Sequence, residues 1–449
     1  MNGDWTEVTV EEIAAKSPNA LATGPFGSSI SARFFQGSGV PVIRGNNLSE
    51  NVEHRLLEDN LAFLSTEKAQ EFERSKVRAG DLIFTCWGTI GQVGLIDKRT
   101  TYPEYVISNK QMKLTPDSNK ADSLFLYYLF SSPEMFERVK NQAIGTSVPG
   151  FNLGQLRSLT LKLPPLSEQH TIATILGSLD DKIELNRRIN VTLEGLARAI
   201  FQSWFVDFDP VRAKMEGRRP AGMDESTAAL FPDHFEESEL GEIPAGWKVE
   251  ILGDFVEVIK GLSYKGEGLK SSGMPLHNLN SVLEGGGYKH RGIKYYDGDY
   301  KERHKVYPGD VIVANTEQGF DFLLIGFPAI VSKCYGNEGL FSHHLFRIRP
   351  LPDSPLTPHF IHRLLMVPQI REQVIGCTNG TTVNMLAIQG LQTPKFILPT
   401  ANIIAAFDKI IVPLFEKIEV NYMENQSLAA LRDALLPKLL SGEVRVGLE

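Results

Sequence analysis

Two stretches of the chain repeat apolar residues every seven positions. From Ile172, one series runs Ile172, Leu179, Asn186, Leu193 and Ile200, and a second, four residues later, runs Leu176, Ile183, Asn190, Ala197 and Trp204. That is the seam of a coiled coil. The same seam returns near the end of the chain, as Phe407, Leu414, Asn421, Leu428 and Leu435 beside Ile411, Ile418, Asn425, Arg432 and Leu439. The pattern predicts long helices over about 168–206 and 402–440. Ser167 suits the first cap and Glu168 the first turn. Asn186, Asn190, Asn421 and Asn425 lie on the seam, where apolar residues bury better, so they are expected to fix register and partner at some cost. Two helices written to one plan are expected to pair antiparallel. A parallel pair would need the intervening chain to span their length, and two core helices of a larger fold are the plainer alternative.

The repeat extends beyond the helices. Val77–Phe84 (VRAGDLIF) matches Val306–Val313 (VYPGDVIV), each a Gly-Asp turn feeding a β-rich run. Gly145–Val148 matches Gly380–Val383, and Asp181–Asn186 matches Glu416–Asn421, at the same offset of 235 in numbering that relates the two seams. An ordered series of this kind predicts a duplicated domain-plus-helix plan. Short strands are expected at Pro41–Arg44, Leu82–Thr85, Lys110–Leu114, Val311–Ala314 and Leu345–Ile348. Helices are expected at Ser123–Gln142 and Pro358–Ile375, with Thr357 capping the latter. The expected organisation is a mixed α/β domain over 1–165, a helix over 166–209, an acidic linker over 210–243, a second domain over 244–400 and a second helix and tail over 401–449.

With 449 residues, 42% of them hydrophobic, the chain can build two or three cores. It has no apolar run long enough for a membrane span, no basic, apolar leader, and three scattered cysteines, so a reducing, cytoplasmic setting is expected. A net charge of −8 argues at first against a nucleic-acid partner. Its distribution weakens that objection. Residues 1–165 carry 17 Lys/Arg against 18 Asp/Glu and residues 246–400 carry 16 against 14, whereas residues 166–245 carry 8 against 15. Nearly neutral domains can still present local basic faces.

No catalytic arrangement emerges. P-loop, dinucleotide-binding, HExxH, GxSxG and amino-methyltransferase Asn/Asp-Pro-Pro-Tyr stretches are all missing. Asp81 and Asp310 read as turn residues, and Cys86, beside Trp87, as a packed thiol. His343-His344 is the tempting metal pair, but neighbours on a strand point to opposite faces, so no metal site is expected.

Three segments carry a family resemblance. Leu163–Asn186 (LPPLSEQHTIATILGSLDDKIELN) resembles the central conserved region of the DNA specificity subunits of type I restriction-modification systems. Gly241–Asp254 resembles the opening of their recognition domains, and Leu435–Val444 their C-terminal ending. The resemblance covers essentially the whole chain. It implies an α/β fold with two similar target recognition domains separated by two long helices in an antiparallel coiled coil, related by a pseudo-twofold repeat. It also implies a non-catalytic subunit that reads a bipartite double-stranded DNA target. Its implied partners are two modification subunits, which use S-adenosylmethionine to methylate adenine, and restriction subunits that use ATP and Mg. The family's Pro-Leu-x-Glu-Gln helix opening is met by Pro165, Leu166, Glu168 and Gln169, but Thr400, Ala401 and Asn402 stand at the second helix. Its Gly-Asp…Gly-x-x-Gly pattern is met by Gly80, Asp81, Gly88 and Gly91, whereas Asn315-Thr316-Glu317 alters it in the second domain.

Expected DNA contacts are polar loop residues at the repeated sites: Arg44, Asn46, Asn47, Thr89, Thr146 and Ser147, then Asn278, Asn280, Lys289, His290, Arg291, His343, His344, Thr381 and Thr382. Asn pairs with adenine and Arg with guanine, while hydroxyls and amides near Gly145 and Gly380 suit phosphates. The rival reading is a non-catalytic scaffold that joins two proteins.

Overall fold

The structure, a computed structural model, describes residues 5–26, 29–143, 150–319, 321–380 and 383–446. It divides into two compact units: Met1–Glu184 with Asn425–Glu449, and Leu185–Glu424.

Unit 1 is built on two four-stranded sheets. One has the order Leu21–Thr23, Gln111–Leu114, Leu82–Thr85, Val93–Leu95, all antiparallel. The other has the order Ala62–Leu64, Val40–Ile43, Tyr105–Ile107, Lys76–Val77, with its central pair parallel. A short ribbon, Thr6–Thr9 with Thr160–Leu163, ties the start of the domain to its end. The Gly-Asp turn explains how strand Leu82–Thr85 begins. Gly80 has φ +95°, a region open to glycine, and the Asp81 carboxylate accepts from the Arg78 N–H at 2.8 Å.

Unit 2 repeats this topology with additions. Its first sheet has the order Val256–Lys260, Leu345–Pro350, Val311–Ala314, Pro328–Ile330. Its second has the order Leu269–Lys270, Lys294–Tyr296, Met274–His277, Gly339–Phe341, Lys305–Val306, and again only the Met274–His277 and Gly339–Phe341 pair is parallel. Lys248–Ile251 with Lys395–Leu398 is the matching ribbon. Asp310 repeats the turn, accepting from the Tyr307 N–H at 2.7 Å. Among the described residues, unit 2 has a further sheet, Thr316–Gln318, Val383–Leu386 and Thr378–Asn379.

Two single helices expected from the sequence are each broken in two. Ser123–Ser131 and Pro133–Asn141 meet at Ser132, and Pro358–Leu364 and Pro368–Ile375 are separated before Pro368. Proline drives the residue before it out of the helical region and restarts a helix well at its first position. Residues 210–243, expected as a linker, carry helices Asp209–Met215 and Glu225–Ala229 and a hairpin, Phe235–Ser238 with Gly241–Pro244. Val211, Phe231 and Ile243 from this segment are buried in the core of unit 2, so it is part of that domain's packing.

The long helices are continuous over Leu166–Phe205 and Ala401–Ser441, each about 60 Å at 1.5 Å per residue. In unit 1, Ile172, Ala173 and Leu176 share a core with Leu436, Leu439 and Leu440. In unit 2, Ala197, Phe201 and Trp204 share one with Ile403, Phe407 and Ile411. The start of one helix meets the end of the other in each case, so the pairing is antiparallel.

Candidate nucleic-acid interface

Each domain gathers three loops at one end of its sheets. In unit 1 these follow strands Val40–Ile43, Leu82–Thr85 and Tyr105–Ile107, and they surround a cleft of about 620 Å³. Arg44, Asn46 and Thr89 line it together. So do Trp87, which is exposed, and Lys110. The Arg44 guanidinium donates to the Asn60 carbonyl at 2.8 Å, which holds it in place.

Asn47 does not belong to that set. It is fully buried, with its amide donating to the Leu57 carbonyl at 2.9 Å and its oxygen accepting from the Arg44 N–H at 2.9 Å. Asn278 is likewise withdrawn. It is 5% exposed, donates to the Gly292 carbonyl and accepts from the Asn280 N–H, both at 2.9 Å. Both asparagines tie down turns and leave no group for a base. Thr146, Ser147, Thr381 and Thr382 lie outside the described residues.

The equivalent loops of unit 2 follow Met274–His277, Val311–Ala314 and Gly339–Phe341. They carry Asn280, which is exposed, then Thr316, His343 and His344. The two histidines sit on a turn rather than a strand, with ring centroids 3.9 Å apart, so they do not point to opposite faces. Thr316 Oγ1 lies 2.9 Å from His344 Nδ1. Burial, with His343, Lys260 and Lys294 nearby, lowers the His344 pKa and favours the neutral ring. Among the described residues no group of three or more His, Cys, Asp and Glu side chains is arranged to hold a metal. Lys289 and Arg291 are exposed, but His290 between them is not free for DNA. Its ring stacks on Tyr422 at 3.7 Å, and burial pushes its pKa down to about 4.

Sequence reasoning missed Lys110, Trp87 and the pair Lys294 and Tyr264, in which the ammonium lies 5.6 Å from the ring centre. A signal was available. Ser108-Asn109-Lys110 follows its strand as Ser342-His343-His344 follows the matching one. Cys86 is packed as expected, its thiol pushed up to about 12 by burial.

The helix seam has its own polar sites. In unit 2 the Asn421 amide donates to Asn190 Oδ1 at 2.7 Å, and Asn186 donates to Glu424 at 2.8 Å. Asn186 and Asn421 are fully buried, and Asn425 is half-buried. Gln169, in the Pro-Leu-x-Glu-Gln opening, is buried and internally satisfied. It accepts from the Asp122 N–H at 3.0 Å and donates to the Pro164 carbonyl at 2.9 Å, locking the helix to its domain. Its counterpart in the second helix is Ile404, which locks by apolar burial instead.

Comparison with known proteins agrees with this architecture. Residues 2–195 match the family model described as the type I restriction modification DNA specificity domain. The curated relatives that the chain resembles are type I restriction enzyme specificity subunits. It is 28% identical over 391 residues to the type I restriction enzyme HindI specificity subunit of Haemophilus influenzae, covering 76% of this chain and 81% of that one. It is 24% identical over 458 residues to the MjaIX specificity subunit of Methanocaldococcus jannaschii, covering 99% and 94%. The crystal structure of a type I S subunit from M. genitalium superposes over 100% of this chain and 98% of its own, with a TM-score of 0.57 at 16% identity, a likeness of fold.

Proposed function

We propose that this chain reads a bipartite double-stranded DNA sequence and directs adenine methylation and restriction by partner subunits, with no catalysis of its own. One observation carries the reading. Two units of matching topology present equivalent loop clusters with different side chains: Arg44, Asn46, Trp87 and Lys110 in one, Asn280, Thr316, His343 and His344 in the other. Matched scaffolds with unlike tips suit two half-sites of unlike sequence, since base edges specify and backbone contacts position. The long helices contribute to both units, and in this reading they set the half-site spacing. Two modification subunits dock on the chain and carry S-adenosylmethionine, and restriction subunits supply ATP- and Mg-dependent cleavage. The expected DNA-facing residues are Arg44, Asn46, Thr89, Asn280, Lys289, Arg291, His343 and His344, now joined by Lys110. The proposed place of work is the cytoplasm, where the DNA target lies. No helix among the described residues is long and apolar enough to cross a membrane.

The test is co-expression with the cognate modification subunits, followed by genome-wide mapping of methylated adenine with and without this chain. A split motif that appears only with the chain supports the reading. Unchanged methylation, together with no salt-dependent DNA affinity, sinks it in favour of a protein scaffold.

A further inference from the structure

Unit 2 contains a cavity of about 300 Å³ between its domain and its stretch of the paired helices. Helix Pro358–Leu364 lines it with His359, His362 and Arg363, which share a face at spacings of three and four. His362 is 3% exposed and Arg363 4%. Among the described residues, Nε of Arg363 and Nδ1 of both His362 and His290 are buried without a hydrogen-bond partner. The Arg363 guanidinium lies over the Phe415 ring, 5.3 Å from its centre, which offers no acceptor oxygen. A buried cation and buried ring nitrogens without hydrogen-bond partners are costly to keep.

The acidic groups around the cavity do not meet that need. Glu419 is taken by the Ser332 hydroxyl at 2.7 Å and the Lys333 N–H at 3.2 Å. Glu194 acts on Arg363 only at longer range, offset by Arg198, and Glu416 is exposed at the mouth. Unit 1 supplies the contrast. At the three equivalent positions it has Leu124, Tyr127 and Tyr128, with Tyr127 donating to the Val52 carbonyl at 2.9 Å and Tyr128 to Asp180. Both tyrosine hydroxyls at that junction therefore have acceptors.

We propose that this cavity binds a small oxyanion, a phosphate or carboxylate group of a low-molecular-weight ligand. Arg363 is the charged anchor, and His359 and His362 are further N–H donors. His290, between Lys289 and Arg291, two of the expected DNA-facing residues, lines the cavity, but the anchor Arg363 is not one of them, and the anion site does not depend on the DNA reading.

Titration calorimetry on the full chain with inorganic phosphate, and separately with acetate, tests this at constant ionic strength. The expected result is saturable binding of at least one anion at about 1 mM or tighter, and which anion binds identifies the source. Arg363→Gln is expected to weaken it at least about tenfold. Because a buried substitution can unfold the domain, crystals of the unaltered chain soaked with selenate or bromoacetate, according to which anion bound, provide a second reading. Anomalous density beside Arg363 supports the site. No saturable binding of either anion, undiminished binding by a folded Arg363→Gln chain, or density only elsewhere overturns the proposal.

Discussion

Arg432 meets Asp180 at 2.8 Å inside unit 1, with side chains only 3% and 1% exposed. Asp180 also accepts from Tyr128, and Arg432 reaches Asp433 at 2.8 Å and Glu53 at 3.5 Å. In the other copy of the plan, Ala197 stands where Arg432 does and Phe415 where Asp180 does. One copy therefore closes its helix–domain junction with a buried ion pair, whereas the other has Ala197 and Phe415 at these positions, with the Arg363 guanidinium over the Phe415 ring beside the cavity. A buried pair is not itself strong evidence of stability, but breaking one leaves an uncompensated charge. Arg432→Ala is expected to cost about 3–5 kcal/mol in urea unfolding of unit 1. Asp180→Leu with Arg432→Met is expected to cost much less, and equal losses for the two variants would refute this account of the junction.

The Asn190–Asn421 contact makes a different demand. Asn421 Oδ1 is buried without a partner among the described residues, so the pair gives up stability. A polar pair on a coiled-coil seam specifies register. Asn190→Leu with Asn421→Leu is expected to raise the melting temperature and to yield mixed association states in light scattering. A more stable chain that keeps one association state would show that the asparagines do not set the pairing.

Lys110 and Asn46 line one cleft, and the proposed reading gives Lys110 a phosphate contact and Asn46 a base contact. Lys110→Ala is expected to weaken DNA binding about equally for all sequences and to reduce the salt slope by about 1. Asn46→Ala is expected to relax preference at one base position, at a cost of about 1–3 kcal/mol. Binding curves across salt and across single-base variants separate the two. Reversed behaviour would reassign the residues.

Acid should act on unit 2 through its buried histidines. Burial pushes His277, His290 and His359 down to about 4 from 6.5. The unfolded chain therefore takes up protons first, and stability present above pH 6.5 is lost as pH falls toward 4. His277, 2% exposed, accounts for about 3 kcal/mol of this at full protonation. Hydrogen exchange at pH 7.5 and pH 5 is expected to show protection falling in the strands around Met274–His277. Unchanged protection there would mean that the rings are not held neutral.

Much of the fold could be read from the sequence because heptad spacing and the constant offset between the two copies are local, periodic signals. Strands Leu82–Thr85 and Val311–Ala314 were legible for the same reason, each being a short β-rich run behind a Gly-Asp turn. The parallel pairing of Val40–Ile43 with Tyr105–Ile107 was not legible, since it joins distant parts of the chain with no pattern between them. Nor was the burial of residues 210–243, whose acidic composition hides Phe231 and Ile243. In the loops, composition identified polar residues but not their direction. Asn46 faces the cleft while its neighbour Asn47 is spent on the turn, and only three-dimensional hydrogen bonding tells them apart.

In the proposed reading the paired helices hold two readers at a set spacing. Insertion of one heptad after Arg188 and another after Met423, equivalent positions in the two helices, lengthens each by about 10 Å, or about three base pairs of DNA. Methylation mapping with the modification subunits is predicted to show both half-sites unchanged and the gap between them longer by about three base pairs. An active enzyme that methylates at the original spacing would contradict the account.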